Sequence, residues 1–165
     1  RHTVTRPSLL IITADHTRGP IPGSFNNYHT PFAMLVINGP SPHRHVPLLP
    51  SQLDMAPTIL DWLGGKAPWF TGQSLWQLPD ADYRGSYYAN GIYGWMEGEH
   101  LIEFPLDKPD TLRCYRWDSA AQTPDDVGCS ADDTRREVRA RAYIFYSQSL
   151  LFAGKTSDFG NPDSL

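Results

Sequence analysis

Residues 7–16 read Pro-Ser-Leu-Leu-Ile-Ile-Thr-Ala-Asp-His, and the reading of this stretch decides the fold. The run Leu9, Leu10, Ile11, Ile12 has no polar alternation, so both faces of the strand it forms are apolar. That pattern belongs to a strand covered on both sides, as in the middle of a parallel sheet. Asp15 and His16 follow directly, at the carboxyl end, where open α/β sheets carry their working groups. An adjacent carboxylate and imidazole supply oxygen and nitrogen donors suited to Zn²⁺ or Mn²⁺.

Working outward, residues 17–28 are polar and rich in Gly, Pro and Asn, and read as a loop. Thr30–Asn38, TPFAMLVIN, is a second continuous apolar run and a second buried strand. The link between the two is short for a helical crossover and long for a tight hairpin. Gly39–Pro50 is a Pro-rich loop holding His43, Arg44 and His45, which read as solvated side chains more readily than as ligands. A helix is expected next, with Asp54 as N-cap, Pro57 in its first turn, an apolar stripe of Met55, Ile59, Leu60 and Leu63, and a stop at Gly64 and Gly65. Residues 66–83 are irregular and aromatic.

From Gly85 the period becomes strand-like. Ser86–Ala89, Glu99–Phe104 and Leu112–Trp117 are expected to form a small antiparallel meander, with Asn90-Gly91 as a tight turn and 118–129 as a loop. Ser130 and Asp133 form a capping box for a last helix ending near Ala153, its apolar face being Val138, Ala142, Phe145, Ser149 and Phe152. The expected class is therefore α/β: a mainly parallel sheet flanked by helices over residues 1–84, then the meander and a final helix over 85–165, all in one domain.

The totals narrow the function. A chain of 165 residues with 40% hydrophobic content and a formal charge of -4 folds around a core and has no dense basic run for nucleic acid. No apolar stretch approaches the roughly 20 residues of a membrane helix, and Arg1–Arg6 lacks the apolar region of a signal peptide. Cys114 and Cys129 fit no zinc spacing; a disulfide and two separate buried thiols both suit them.

The series TADH, a polar loop, TPFAMLVINGP, SQLDMAPTILDWLGG and FTGQSL resembles the C-terminal part of sulfatase-like enzymes of the alkaline phosphatase superfamily. Within that group it looks nearest to lipoteichoic acid synthases and to phosphoglycerol or phosphoethanolamine transferases. The resemblance covers residues 9–75 in order and implies that Asp15 and His16 are two ligands of a catalytic divalent metal, Mn²⁺ or Zn²⁺, with Ca²⁺ and Mg²⁺ as further candidates. It implies that Arg18 or His29 contacts anionic oxygens of a phosphodiester or sulfate ester, His29 being also a candidate general acid. A plain backbone-bonding role suits His29 equally well.

Two departures stand out. Thr17 occupies a position where many relatives have Gly, and no hydroxyl nucleophile on a preceding strand is present. Neither cysteine lies in the Cys-x-Pro-x-Arg pattern of modified sulfatase nucleophiles. The chain is thus expected to be the C-terminal part of a longer enzyme, inactive alone and prone to self-association, whose membrane segments precede it. The parent's place would be the extracytoplasmic face of a bacterial inner membrane, a setting that favours a Cys114–Cys129 disulfide. The rival readings are a true sulfatase and a non-catalytic binding module that presents Trp69–Trp76 as a contact surface.

Overall fold

The apolar runs on either side of the first loop become β1 (Ser8–Thr13) and β2 (Phe32–Ile37), paired antiparallel with Leu10 opposite Leu35 and Thr13 opposite Phe32. The computed structural model describes residues 4–15, 30–39, 50–66, 70–76, 84–89, 91–108, 111–118, 120–121 and 123–154. The chain divides into two compact units, Arg1–His45 and Val46–Leu165. Among the described residues every strand pairing is antiparallel, which corrects the expectation of a mainly parallel sheet. Continuous hydrophobicity reports that both faces of a strand are apolar. It carries no information about the direction of its neighbour.

In the second unit, a single 3₁₀ turn (Gln52–Asp54) leads into α1 (Met55–Trp62). Asp54 is the N-cap of α1 by position, as expected, but makes no side-chain cap bond there; Ser51 caps the 3₁₀ turn before it. The Ser51 hydroxyl accepts from the Leu53 amide, and Asp54 answers as the acid of a capping box, its Oδ2 accepting from the Ser51 amide at 2.9 Å. The other carboxylate oxygen, Oδ1, accepts from the Gln73 amide at 2.8 Å, so one buried side chain joins the helix start to segment 70–76.

Thr58 repeats the device one turn on, donating to Asp54 O and accepting from the Leu75 amide. Trp76 Nε1 donates to Thr58 O at 2.8 Å, and Ser74 Oγ to Asp61 Oδ2 at 2.5 Å. The approach is so close that a Cβ at Gly72 would lie 2.0 Å from Leu53 O. α1 ends in a left-handed Gly64 (φ 79°), as its glycines predict, while Leu63 at the end of the expected stripe is exposed.

The meander is larger than the sequence suggests. β3 (Arg84–Ala89), β4 (Ile92–Glu97), β5 (His100–Pro105), β6 (Arg113–Asp118) and β7 (Thr123–Val127) form a sheet in chain order. β7 lies in the segment expected to be a loop. Its sequence, TPDDV, has no strand signature, and Pro124 is tolerated because, among the described residues, β7 is an edge strand paired with β6 alone.

Against one face of the sheet lies α2 (Ala131–Phe152), capped by the expected Ser130–Asp133 box. Tyr93, Trp95, Ile102, Phe104, Cys114 and Ala140 make the core there, with Tyr143 and Ile144 packed against it. Met96, Leu101 and Trp117 are equally buried. Cys114 is bonded to Cys129, fastening β6 to the approach to α2.

The helix presents the opposite side from the one expected. Val138, Phe145 and Phe152, the large members of the apolar stripe, are 65%, 74% and 85% exposed. The inward side escaped notice because Ala140, Tyr143 and Ile144 are interleaved there with charged residues. Arg139 grips Glu97 with two nitrogens at 2.5 and 2.7 Å, Arg136 bonds Asp133 at 2.7 Å, and the Arg141 guanidinium lies 4.5 Å over the Phe104 ring.

Burial pushes the Glu97 carboxyl up. Hydrogen bonds from Arg139 and Trp95 and the charges of Arg139 and Arg84 outweigh burial and hold it below the ordinary range. Asp133 behaves alike: burial raises it, and its bonds to Ser130 and Arg136 lower it further.

Two outcomes follow from these contacts. Asp54→Ala orphans two backbone donors and is expected to cost about 3 kcal/mol in denaturant unfolding, with Gly72→Ala also strongly destabilising. Because Glu97 and Asp133 have depressed values, they stabilise the fold above their unfolded values, near 4.5 and 3.8, and that stabilisation is lost as the pH falls through the folded ones. Thermal midpoints of Glu97→Gln measured between neutral and acid pH should fall less steeply than those of the parent sequence.

Candidate functional site

β1 ends at Thr13, and Asp15 stands two residues beyond it with its side chain exposed to solvent. Thr13 pairs with Phe32, so the end of β1 and the start of β2 lie at the same end of the ribbon. The antiparallel return therefore brings Thr30, the residue after His29 in sequence, to the end of the ribbon that carries Asp15. His16, Arg18 and His29 lie outside the described residues, as do Thr17, His43, Arg44, His45 and Trp69. Of the expected metal pair, the structure positions Asp15.

Among the described residues no group of three or more His, Cys, Asp or Glu side chains is arranged to hold a metal ion. The donor set at Asp15 and His16 fits a divalent cation in chemistry, a carboxylate oxygen beside an imidazole nitrogen, and two ligands leave the remaining coordination positions to other groups.

The other titratable clusters have structural partners. Asp54 has both oxygens engaged with backbone amides, in keeping with a capping role and not a catalytic one. Tyr93 is pushed up to about 12, chiefly by burial, and Tyr143 is raised for the same reason while its hydroxyl donates to Thr71 O. Both phenols stay protonated at neutral pH and serve as packing groups. Glu103 receives the Tyr87 hydroxyl, whose ring lies over Gly94 where a Cβ would meet it at 2.1 Å.

The residues that the sequence reading missed are Thr58 and Gly72, which position the FTGQSL segment against α1, and Ser51, whose hydroxyl donates to Ser86 O on β3. The Ser51-x-x-Asp54 spacing is itself a capping-box signature and was the signal available for Ser51.

Comparison with known proteins gives a fold. No family model matches the chain, and no curated protein matches it either. A solved structure does: a protein in the alkaline phosphatase superfamily from Vibrio parahaemolyticus superimposes with a TM-score of 0.68 over 91% of this chain, at 18% sequence identity. The match occupies 36% of that protein, so the chain spans about a third of its length. In architecture, the chain has the fold of part of an alkaline phosphatase superfamily protein.

Proposed function

We propose that the chain is part of a metal-dependent phospho- or sulfo-transfer enzyme of the alkaline phosphatase superfamily, and that it contributes Asp15 and His16 to the metal site. The observation supporting this reading is the superposition on a member of that superfamily over 91% of the chain, together with a carboxylate just past the carboxyl end of β1. When bound, a divalent ion of this kind stabilises an oxyanion nucleophile and neutralises charge on the transferring group. In this scheme Arg18 or His29 binds the substrate's anionic oxygens, and His29 can move a proton to the leaving group.

The SQLDMAPTIL helix series suits both ester classes, and the lack of a basic, Gly-rich approach to β2 favours phosphodiesters of the phosphoglycerol or phosphoethanolamine kind over sulfate esters. The Cys114–Cys129 bond favours an oxidising, extracytoplasmic setting for the parent. Among the described residues no helix is long and apolar enough to cross a membrane, so this reading assigns any anchor to other parts of the parent.

Metal titration followed by thermal unfolding tests the site in the parent protein. At a metal concentration a hundred times the dissociation constant, Mn²⁺ or Zn²⁺ should stabilise it by about 2.7 kcal/mol. Asp15→Ala and His16→Ala should each abolish the shift, and a parent that gains nothing from either ion would refute the assignment. Hydrolysis of a generic aryl phosphodiester against an aryl sulfate separates the two ester classes. Thiol titration of the denatured, unreduced chain should find no free cysteine, and reduction should lower its stability by roughly 3 kcal/mol.

A further inference from the structure

α2 has an apolar side that its own unit does not use. Ala140, Tyr143 and Ile144 pack into the core of the second unit, which turns Val138, Ala142, Phe145, Ser149 and Phe152 away from the sheet, and all five are exposed. They follow one another at steps of four, three, four and three residues, the rhythm of a coiled-coil seam. Ser149 is no exception to the apolar character: its hydroxyl donates to Phe145 O at 2.7 Å, and the surface it offers outward is small.

Size alternates along the stripe. Val138, Phe145 and Phe152 are large, and Ala142 and Ser149 are small. A second α2 laid parallel brings like positions together, Phe on Phe and Ala on Ala, which overfills one layer and leaves a hole in the next. Reversing one helix exchanges the order of the three- and four-residue steps, so large positions then meet small ones. With Ala142 against Phe145 of the second copy, Val138 meets Ser149 and Arg135 meets Phe152, a guanidinium on a ring. Each of these layers occurs twice about the two-fold axis, as a self-complementary patch requires.

Charge selects the same arrangement. Every charged residue of α2 lies at or before Arg141, and residues 142–152 carry none. Parallel pairing sets Arg135 beside Arg135 and Arg141 beside Arg141, whereas antiparallel pairing lays each charged half along an uncharged one.

We infer that the stripe from Val138 to Phe152 is a dimer interface, and that its partner is α2 of a second copy of this chain, running antiparallel. One helix seam lies at the small end of specific interfaces, below about 1,200 Å² in total, so the dimer is reversible and concentration-dependent. Asp15 and His16 take no part in it, so a failed metal titration leaves it standing.

The full-length protein should sediment as a monomer–dimer equilibrium. Phe145→Asp should weaken the dimer by about tenfold or more and leave the thermal midpoint of the monomer unchanged, because the ring stands in solvent there. Ala142→Leu separates a built seam from general stickiness. It adds apolar surface and keeps helix propensity, so non-specific association tightens, whereas a filled hole opposite Phe145 weakens the dimer severalfold. The exchange Ala142→Phe/Phe145→Ala keeps one large and one small residue in each central layer and should dimerise again.

Orientation is read from nitroxide labels. Cys114 and Cys129 are bonded to each other, so in this chain Thr134→Cys and Gln148→Cys each add a single free thiol. At about 1.5 Å per residue, antiparallel pairing sets the two labels at 148 roughly 14 Å apart along the axis and those at 134 roughly 29 Å apart, while parallel pairing makes the two separations equal. Five results overturn the inference: a protein monomeric at every concentration, an open-ended assembly, a dimer indifferent to Phe145→Asp, a dimer tightened by Ala142→Leu, and equal separations at the two labelled sites.

Discussion

A single buried carboxylate fixes the geometry of the first half of the second unit. Asp54 is 1% exposed, and a carboxylate taken that far out of water is tolerable only when its lone pairs are met by well-placed donors. They are met from two directions, by the Ser51 amide just upstream and by the Gln73 amide nineteen residues on. The helix start and segment 70–76 therefore cannot separate without exposing orphan donors on both sides. Thr58 adds a second rung, and Gly72 is the residue that lets the two backbones approach closely enough for the rungs to reach.

A different balance holds the rest of that unit. The sheet and α2 share a modest apolar core, and much of the inner side of the helix is ionic: Glu97 with Arg139, and Asp133 with Arg136. Arg136 and Glu97 side chains are 15% and 16% exposed, so screening by solvent is slight for this pair and desolvation is a real cost. The disulfide ties β6 to the segment that launches α2, while the Asp133–Arg136 pair is local to the first turns of the helix.

How far the sequence could be read depended on whether a signal was local. The capping boxes, the Gly64 stop, the Asn90-Gly91 turn and the strands β1 and β2 are set by neighbouring residues, and their patterns were visible. The direction of β2 relative to β1, the edge strand β7 and the inward side of α2 depend on partners distant in sequence. On α2 the misreading has a physical cause: Arg136, Arg139 and Arg141 look like a solvated stripe, yet their carboxylate and aromatic partners lie on the sheet. For the candidate site, Asp15 was legible because it sits immediately beyond an unmistakable strand. The groups that would complete a metal shell are not specified by any spacing in this chain.

The two units also differ in how completely they hide apolar surface, and that difference bears on function. In the five-stranded sheet, the core side chains of β4 and β5 are covered, and Leu101 and Ile102, neighbours pointing to opposite faces, are both fully buried. In the ribbon, Leu10, Ile12 and Leu35 face solvent although their residue types are those of an interior. A catalytic carboxylate works only if its position is fixed to within a fraction of an ångström, and a bare two-stranded ribbon is a poor mount for one.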